Sequence, residues 1–529
     1  MAGEMTQIIA SIALAIFTIS MITIGIFSSK HTKTMDGFLL GGRKIGPWLS
    51  AFAYGTTYFS AVIFIGYAGK FGWDIGLSSI WIGVGNALIG GLIAWVVLAK
   101  RTRNMTRTLN SRTMPEFFES RYNDTKMKVY SAIIIFVFLL PYAASVYKGL
   151  GSLFSVIFPG AANLIPGVEP QIICMFIVAA LTAVYLVLGG YVATVITDFV
   201  QGIIMIVGVI LMVIMIVNHP NVGGLGNAIE RLREVKPSLV SVFGGSNWKF
   251  LCTNILLTSF GAWGLPQMIH KFYAIKDEKS IKIGAVITTV FALIIGGGAY
   301  FAGVFGRFFV DAGATGAPAV GYDSVVPNML NLALGSGIFG NILLSIILLL
   351  LLSASMSTLS AVVLTSSSAI SVDLMNVVRP STMANRSTRF TRVLCFVFVA
   401  LSFLFATFNF AIIVSIMSFS WGIVSGCFIG PYIWGLYSKK TTRAGAWAGM
   451  IGGLVTVVAM TVFSMATSPL LADGVYAAFK AASANSPVYG VCAMAVSVVI
   501  VPTVSRFTKK LPEEVIERAF AKETLKIEV

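Results

Sequence analysis

The chain has 529 residues, of which 57% are hydrophobic and only 11% are charged. Soluble proteins average about 25% charged residues, so these values exclude a soluble globular fold of this length. Repeated apolar runs of about 20 residues or more are each long enough to cross a bilayer core of about 30 Å. The sequence therefore predicts an all-α polytopic membrane protein.

The apolar runs predict thirteen membrane spans. The first run, from Ile8 to Phe27, has no basic flank before it and no small-x-small cleavage pattern after it, so we expect a retained helix rather than a signal peptide. The predicted spans are approximately 7–28, 46–69, 77–99, 129–157, 171–189, 191–217, 250–270, 283–306, 335–375, 393–408, 411–436, 444–467 and 487–505.

The formal net charge of +16 could indicate a nucleic-acid partner, but the positions of the 37 basic residues favour another explanation. Most of them lie in alternate connections between the predicted spans, and such an excess marks the cytoplasmic side of a membrane protein. We therefore expect the N-terminus outside, the tail from Thr508 to Val529 in the cytoplasm, and no nucleic-acid partner. The outer face is assigned only Lys70, Arg231, Arg233, Lys236, Lys249, Arg307 and Lys480.

The second predicted span contains polar and small residues at membrane depth. It reads SAFAYGTTYFSAVIFIG and places Gly55, Thr56, Thr57, Tyr58 and Ser60 close to the middle of the bilayer. Polar residues at this depth are tolerated where they line a cavity or pack against protein. This composition predicts a local break in the helix.

The seventh predicted span should be broken as well. It reads LLTSFGAWGLPQMIHKF, in which Gly261, Gly264 and Pro266 interrupt the helix. Proline has no amide donor, so Pro266 should free the carbonyl four residues before it. Two interrupted helices separated by five spans are typical of an inverted-repeat transporter, whose substrate lies between the unwound segments. His270 and Lys271, which follow, are predicted to lie at the membrane interface.

The ninth predicted span changes from a pure leucine block to hydroxyl residues. Ala354, Ser357 and Thr358 stand at i, i+3 and i+4, so they share one helix face, and Ser360 and Ala361 follow a turn further along. A face of this kind, opposite the free carbonyls of a broken helix, could supply the oxygen ligands of a sodium ion. Serine and threonine also hold packed membrane helices together, so both interpretations stay open.

Several ordered motifs resemble the sodium:solute symporter family, most closely its sodium/proline branch. The segment FLLGGRKIG is similar to the family's LGGR loop, and Leu188 to Gly202 contains a TD-x-x-Q motif similar to that of its fifth core helix. The segments SMSTLS and SSSAISVDL resemble the eighth core helix, and Ser418 to Gly453 resembles the tenth core helix and its continuation. The resemblance covers residues from about 37 to 453.

The resemblance implies a LeuT-type fold, with two inverted repeats of five helices, one additional N-terminal helix and two additional C-terminal helices. Thirteen spans agree with this arrangement. The implied division is 1–45 for the first helix and its loop, 46–217 and 218–436 for the two repeats, 437–507 for the last two helices, and 508–529 for the cytoplasmic tail.

The resemblance also implies a sodium site and its ligands. The ligands would be main-chain oxygens of Thr56, Phe59 and Ala354 and the hydroxyls of Ser357 and Thr358, with Asp198 of the TD-x-x-Q motif on the route to the cytoplasm. Asp198 could instead cap a neighbouring helix or lie in cytoplasmic water. Ala361 stands where some members have a hydroxyl at a further sodium position, which argues against a second ion there.

The predicted substrate contacts are Tyr58, Ser60, Tyr142, Trp263, Lys148 and Ser360. The proline branch carries an aspartate in its first core helix, whereas Tyr58 stands at that position here, so the sequence argues against proline itself. Aromatic walls from Tyr142 and Trp263 would suit a small, partly apolar solute, although both could be ordinary packing residues. Lys148 could pair with a substrate carboxylate, or its ammonium could extend to the outer interface.

These features predict a sodium-coupled symporter that imports an amino acid or a short carboxylate through the plasma membrane as a monomer. Proton coupling, sodium independence and a role as a solute sensor are the alternatives. The chain has three histidines, all near predicted span ends, and no HExxH, GxSxG or phosphate-loop motif, so we do not expect an enzyme.

Overall fold

The structure is a computed structural model that describes residues 2–28, 34–158, 165, 167–334, 337–380, 387–408 and 411–524. Helices build this part of the chain, and its only β-structure is two isolated bridges. The α-helices, in chain order, are α1 (Ala2–Ser28), α2 (Met35–Leu40), α3 (Pro47–Tyr58), α4 (Ala68–Ile75), α5 (Ile80–Gly85), α6 (Lys100–Thr108), α7 (Met114–Tyr122), α8 (Thr125–Ile157), α9 (Pro170–Asn218), α10 (Leu225–Val235), α11 (Trp248–Gly261), α12 (Pro266–Tyr273), α13 (Glu278–Val304), α14 (Val325–Leu334), α15 (Gly337–Ser368), α16 (Met375–Val378), α17 (Ser387–Thr407), α18 (Ile413–Tyr437), α19 (Arg443–Ala466), α20 (Val475–Ser483), α21 (Ser486–Phe507) and α22 (Glu513–Thr524).

Ten helical segments among the described residues are long and apolar enough to cross a membrane. Each of the thirteen predicted spans coincides with a helix, with part of one, or with a group of shorter helices. The ten segments are three fewer than the predicted spans for three reasons: α11 and α12 are each short, Pro170–Val184 is a shorter apolar helix, and one segment, Val62–Thr108, runs through two predicted spans. The count of thirteen therefore stays a prediction.

A glycine divides the longest helix at the predicted boundary between two spans. Within α9, Gly190 has φ 57° and ψ −153°, a conformation that residues with a Cβ rarely adopt. The ring of Phe38 also packs directly against this backbone, only 2.7 Å from where a Cβ would lie. The chain thus forms two helical stretches that meet at Gly190, as the predicted spans 171–189 and 191–217 require.

The predicted break in the second span is confirmed, and it lies about one helical turn after Gly55. Helix α3 continues through Gly55, which stays helical and packs so closely on Phe291 that a Cβ would lie 2.5 Å from its ring. The chain becomes extended at Phe59, and a turn of π-helix, Val62–Tyr67, then leads into α4. The Ser60 hydroxyl accepts a hydrogen bond of 3.2 Å from the Val62 amide, which caps this second half.

The second predicted break is also confirmed, but Pro266 has a different role from the one expected. Helix α11 ends at Gly261, and Leu265 is extended before α12 begins. Pro266 occupies the first position of α12, where a missing amide leaves no bond unmade. The carbonyl of Gly261 accepts a hydrogen bond of 2.6 Å from the Ser425 hydroxyl of α18, so a neighbouring helix satisfies the broken end.

The additional helices at the two ends of the chain pack outside the central helices. Helix α1 lies against α9 and α15, whereas α19 and α21 pack on each other and on α18. Helix α22 lies against α6 and α7, where Arg518 donates a hydrogen bond of 3.1 Å to the Ser120 carbonyl.

The two broken helices are joined at one end through their flanking residues. Ile45, just before α3, forms a parallel bridge with Ile275, just after α12. The Ile45 amide donates to the Ala274 carbonyl at 3.1 Å, and the Lys276 amide donates to the Ile45 carbonyl at 3.1 Å. Arg103 adds a hydrogen bond of 3.0 Å to the Ile275 carbonyl. Both broken helices therefore share a common base.

Candidate functional site

Hydroxyl side chains meet where α3 ends against the middle of α15. The Ser357 hydroxyl donates to Thr56 Oγ1 at 2.7 Å. Thr358 Oγ1 lies 3.2 Å from the Thr57 carbonyl, 3.4 Å from the Thr56 carbonyl and 3.1 Å from the Ala354 carbonyl of its own helix. All of these residues are buried. The hydroxyl face inferred from the spacing in the ninth predicted span therefore faces the end of the first half-helix.

The chemistry of this hydroxyl cluster fits a sodium ion. Carbonyls in the last turn of a helix have no partner within the helix, and those of Thr56 and Thr57 point toward Thr358. The Thr57 hydroxyl oxygen is buried without a hydrogen-bond partner among the described residues. Hard cations take several oxygen ligands of these kinds. Phe59 is buried at the break beside the cluster.

Asp198 lies next to the hydroxyl cluster, in the second half of α9. Its carboxylate lies close to the Ser357 hydroxyl, and its Oδ2 lies 3.3 Å from the ammonium of Lys271 in α12. Oδ1 makes no hydrogen bond within the described structure. Asp198 has no exposed surface, which excludes the alternative that places it in cytoplasmic water.

The expectation that His270 and Lys271 lie at the membrane interface is wrong. Lys271 is 2% exposed and His270 is 9% exposed. The residues ahead of them form the short helix α12, which folds back into the bundle after the break and carries both side chains inward. A position near the end of an apolar run indicated the interface, but a broken helix changes which residues reach the interior.

A small cavity of about 20 Å³ lies between the two broken helices. Of the predicted substrate contacts, Tyr58, Ser60 and Tyr142 line it, and Trp421 adds an aromatic wall. This volume accommodates about one water molecule, so a solute requires the walls to move apart. The rings of Tyr58 and Trp421 are stacked, with centroids 6.2 Å apart, and close one side of the cavity.

Tyr142 connects the cavity with the hydroxyl cluster. Its hydroxyl lies close to Ser60 on the cavity side and to Thr358 in the cluster. Its ring lies 5.7 Å from the ring of Trp421, in an edge-to-face arrangement. The Tyr142 side chain of α8 thus lies next to both the cavity and the hydroxyl cluster.

The other three predicted substrate contacts do not line this cavity. The Trp263 indole donates to the Ile89 carbonyl at 3.1 Å and packs on Phe260. The Ser360 hydroxyl donates to the Ser357 carbonyl of its own helix at 2.9 Å. Lys148 lies elsewhere, in an ion pair. A direct role of these residues in substrate binding stays a prediction.

The Lys148 ion pair joins three elements near the start of α18. The Lys148 ammonium lies 3.3 Å from Asp323 Oδ2 and donates to the Ala411 carbonyl at 2.8 Å. Both carboxylate oxygens of Asp323 also accept the Ile413 amide, at 3.3 and 3.2 Å, at the first turn of α18. Burial raises the pKa of the Asp323 carboxyl, and the nearby Lys148 charge acts in the opposite direction.

Sequence reasoning missed several cavity residues, among them Asn86, Tyr300 and Trp421. Asn86 had a usable signal, because an amide inside an apolar run needs a partner, and it accepts a hydrogen bond of 2.7 Å from Thr258. Trp421 lies in the segment SFSWG, which contributed to the resemblance without a role for this residue. Tyr300 gave no signal, because a tyrosine in an apolar helix is ordinary core.

The sequence is similar to a known family and to curated relatives. A sequence model of the sodium:solute symporter family matches residues 38–453. The high-affinity proline transporter PutP of Bacillus subtilis is 31% identical over 451 residues, which cover 83% of this chain and 89% of PutP. The osmoregulated proline transporter OpuE of the same species is 28% identical over 474 residues, covering 88% and 90%. The sodium/proline symporter of Salmonella typhimurium is 28% identical over 451 residues, covering 84% and 86%.

Two solved structures share the fold. A sodium-coupled sialic acid symporter, in a substrate-bound outward-open state, has a TM-score of 0.69 at 16% identity and covers 95% of this chain and 99% of its own. Mhp1, a nucleobase-cation-symport-1 family transporter in a closed conformation, has a TM-score of 0.52 at 12% identity, covering 91% and 97%. These similarities confirm the predicted all-α, LeuT-type architecture.

Proposed function

Because the chain belongs to the sodium:solute symporter family, in which solute movement is coupled to sodium, we propose that it imports a small carboxylate-bearing solute by alternating access. The solute would be an amino acid or a short organic acid. Family membership makes the chain a transporter rather than an enzyme. The observation behind the proposal is the position of Tyr142, which lines the cavity and lies close to Thr358 of the hydroxyl cluster, because a side chain next to both sites can couple the binding of solute and ion.

The proposed sodium ligands are the oxygens of the hydroxyl cluster and of the neighbouring break. They are the main-chain oxygens of Thr56, Phe59 and Ala354, the hydroxyls of Ser357 and Thr358, and Asp198 as a nearby carboxylate. Support comes from the distances among these oxygens and from the buried, unbonded oxygens of Thr57 and Asp198. A single cation bound here would be held by residues of α3, α9 and α15.

The proposed substrate site is the cavity between the two broken helices. Tyr58, Ser60 and Tyr142 supply hydroxyls, and Trp421 supplies an apolar wall. Helix α12 begins inside the bundle, where the positive end of its dipole favours a carboxylate. The relatives described above are named for proline, but Tyr58 replaces the aspartate of that branch, so we propose the carboxylate class rather than proline.

We also propose that the chain works as a monomer in the plasma membrane, with the N-terminus outside and the tail in the cytoplasm. The uneven distribution of basic residues supports this orientation. The division of residues 46–217 and 218–436 into two inverted repeats belongs to the same proposal, and the presence of one broken helix in each half supports it.

A direct test is uptake of labelled solutes into proteoliposomes with and without an inward sodium gradient. The solutes would come from a thermal-shift screen in sodium buffer, because a ligand at 100 times its dissociation constant stabilises a protein by about 2.7 kcal/mol. We expect stabilisation by a carboxylate-bearing compound and sodium-dependent uptake of that compound. Stabilisation by sugars or nucleosides alone would overturn the substrate class, and solute binding without uptake would indicate a sensor.

A further inference from the structure

Lys271 is a buried cation that belongs neither to the proposed sodium ligands nor to the cavity. Its side chain is 2% exposed, and its ammonium faces the Asp198 carboxylate at 3.3 Å and the ring of Tyr191 at 5.4 Å. A buried ammonium without a partner would cost several kcal/mol, so this carboxylate helps to hold α12 in place. Lys271 therefore ties the inner half of the second broken helix to α9.

Asp198 lies between this ammonium and the hydroxyl cluster. One carboxylate oxygen is bonded to Lys271, while the carboxylate also lies close to Ser357, whose hydroxyl donates to Thr56. The other oxygen, Oδ1, has no hydrogen bond within the described structure. A single negative charge is thus placed where both an ammonium and a sodium ion can approach it.

Two cations that share one carboxylate weaken each other. A sodium ion in the hydroxyl cluster would weaken the attraction between Asp198 and Lys271, and by linkage Lys271 would lower the affinity for sodium by the same factor. The consequence is mechanical as well as electrostatic, because Lys271 belongs to α12, which the bridge between Ile45 and Ile275 joins to the base of the first broken helix.

We propose that Lys271 is a positioning residue of the transport cycle, whose ammonium competes with sodium for Asp198. Sodium binding releases α12 from α9, and the return of the ammonium to Asp198 favours departure of the ion. This inference rests on the sodium site under the proposed function, and it adds a residue outside that site. In this proposal the second broken helix responds to sodium, although that helix supplies no ligand to the ion.

The test is sodium binding by the purified protein, measured as the sodium concentration that gives half of the maximal thermal stabilisation at constant ionic strength. Lys271→Met removes the charge, and we expect this concentration to fall by at least about tenfold. Lys271→Arg keeps the charge and should remain within about threefold of the original protein. Lys276→Met is the matched control, because Lys276 is an exposed lysine near the end of α12 that pairs with Asp277, and it should change nothing.

Hydrogen exchange of the α12 amides gives a second readout that does not depend on transport. Sodium should speed exchange in the original protein, whereas Lys271→Met should exchange rapidly with or without sodium. If Lys271→Met does not fold, Lys271→Gln, which keeps a donor toward Asp198, provides the same comparison.

The outcomes separate this inference from the proposed function. Sodium affinity of a folded, uncharged Lys271 variant that is unchanged or weaker overturns the competition. If sodium does not stabilise the original protein at all, the sodium site itself is overturned. If Ser357→Ala abolishes stabilisation by sodium but the uncharged Lys271 variants bind sodium normally, the site stands and the role of Lys271 does not.

Discussion

Two ion pairs in this molecule have the same separation between nitrogen and oxygen but different surroundings. In Asp198–Lys271 and in Asp323–Lys148, the ammonium lies 3.3 Å from Oδ2. The Asp198 pair is 0% and 2% exposed, and one of its carboxylate oxygens has no hydrogen bond. The Asp323 pair is 14% exposed on both sides, and both carboxylate oxygens accept the Ile413 amide.

The difference shows how the environment decides what an ion pair can do. Both oxygens of the Asp323 carboxylate are engaged, because they share the first amide of α18 and one of them faces an ammonium, so this carboxylate holds elements together. The Asp198 carboxylate keeps unused acceptor capacity beside a cluster of hydroxyls, so it can respond to a cation.

Asp198→Asn should have the largest effect, because it leaves the Lys271 ammonium buried without a countercharge. Removing one partner of a buried pair costs about 3 to 5 kcal/mol of stability. We expect a lower melting temperature in sodium-free buffer and no stabilisation by sodium, both measured by thermal denaturation.

The control for Asp198→Asn combines it with Lys271→Met. The double variant should recover most of the lost stability, because no unpaired charge remains, yet it should still fail to respond to sodium. A double variant that sodium stabilises as well as the original protein would show that Asp198 serves only to neutralise Lys271.

Breaking the Asp323–Lys148 pair should cost less, because it is partly exposed. Asp323→Asn and Lys148→Met should each lower stability by about 2 kcal/mol, the range for hydrogen bonds to charged groups, with sodium affinity unchanged. Asp311→Asn is the matched control, since Asp311 is an exposed aspartate in the same connection, and it should have no effect.

The same variants decide the role of Lys148 in solute binding. If Lys148 serves mainly as a structural tie, both variants should change the solute concentration for half-maximal uptake to the same extent. A large increase in Lys148→Met alone would instead support the predicted contact between Lys148 and the solute carboxylate.

Single hydroxyls of the cluster should have a smaller and more specific effect. Ser357→Ala and Thr358→Ala should each raise the sodium concentration for half-maximal uptake by about tenfold, equivalent to about 1.4 kcal/mol. Ser368→Ala is the control, because the Ser368 hydroxyl donates only within its own helix, to the Thr365 carbonyl. Unchanged sodium dependence in both cluster variants would remove these residues from the site.

The comparison of the two pairs also shows what the sequence could predict. Local signals were sufficient for the breaks near Phe59 and Pro266 and for the shared face of Ser357 and Thr358, because glycine, proline and helical spacing act within one segment. Such local signals do not identify which residues from distant segments pair with each other. Lys271 is 73 residues from Asp198 in the chain, and Asp323 is 175 residues from Lys148, so only the packing of the helices brings each pair together.

The smallest expected effect is the pH dependence of the Asp323–Lys148 pair. Because burial raises the pKa of Asp323, this carboxyl takes up a proton at a higher pH than an ordinary aspartate. As the pH falls through this raised pKa, the neutral carboxyl no longer attracts Lys148, so the original protein comes to resemble Asp323→Asn, which lacks the charge at every pH. The difference in uptake between the two proteins should therefore be largest near neutral pH and should shrink on mild acidification. Asp311→Asn should show no comparable change with pH. The difference in uptake between the original protein and Asp323→Asn could instead stay constant down to pH values where ordinary aspartates are protonated. That result would show that the charge of Asp323 does not hold together the elements that the Asp323–Lys148 pair joins.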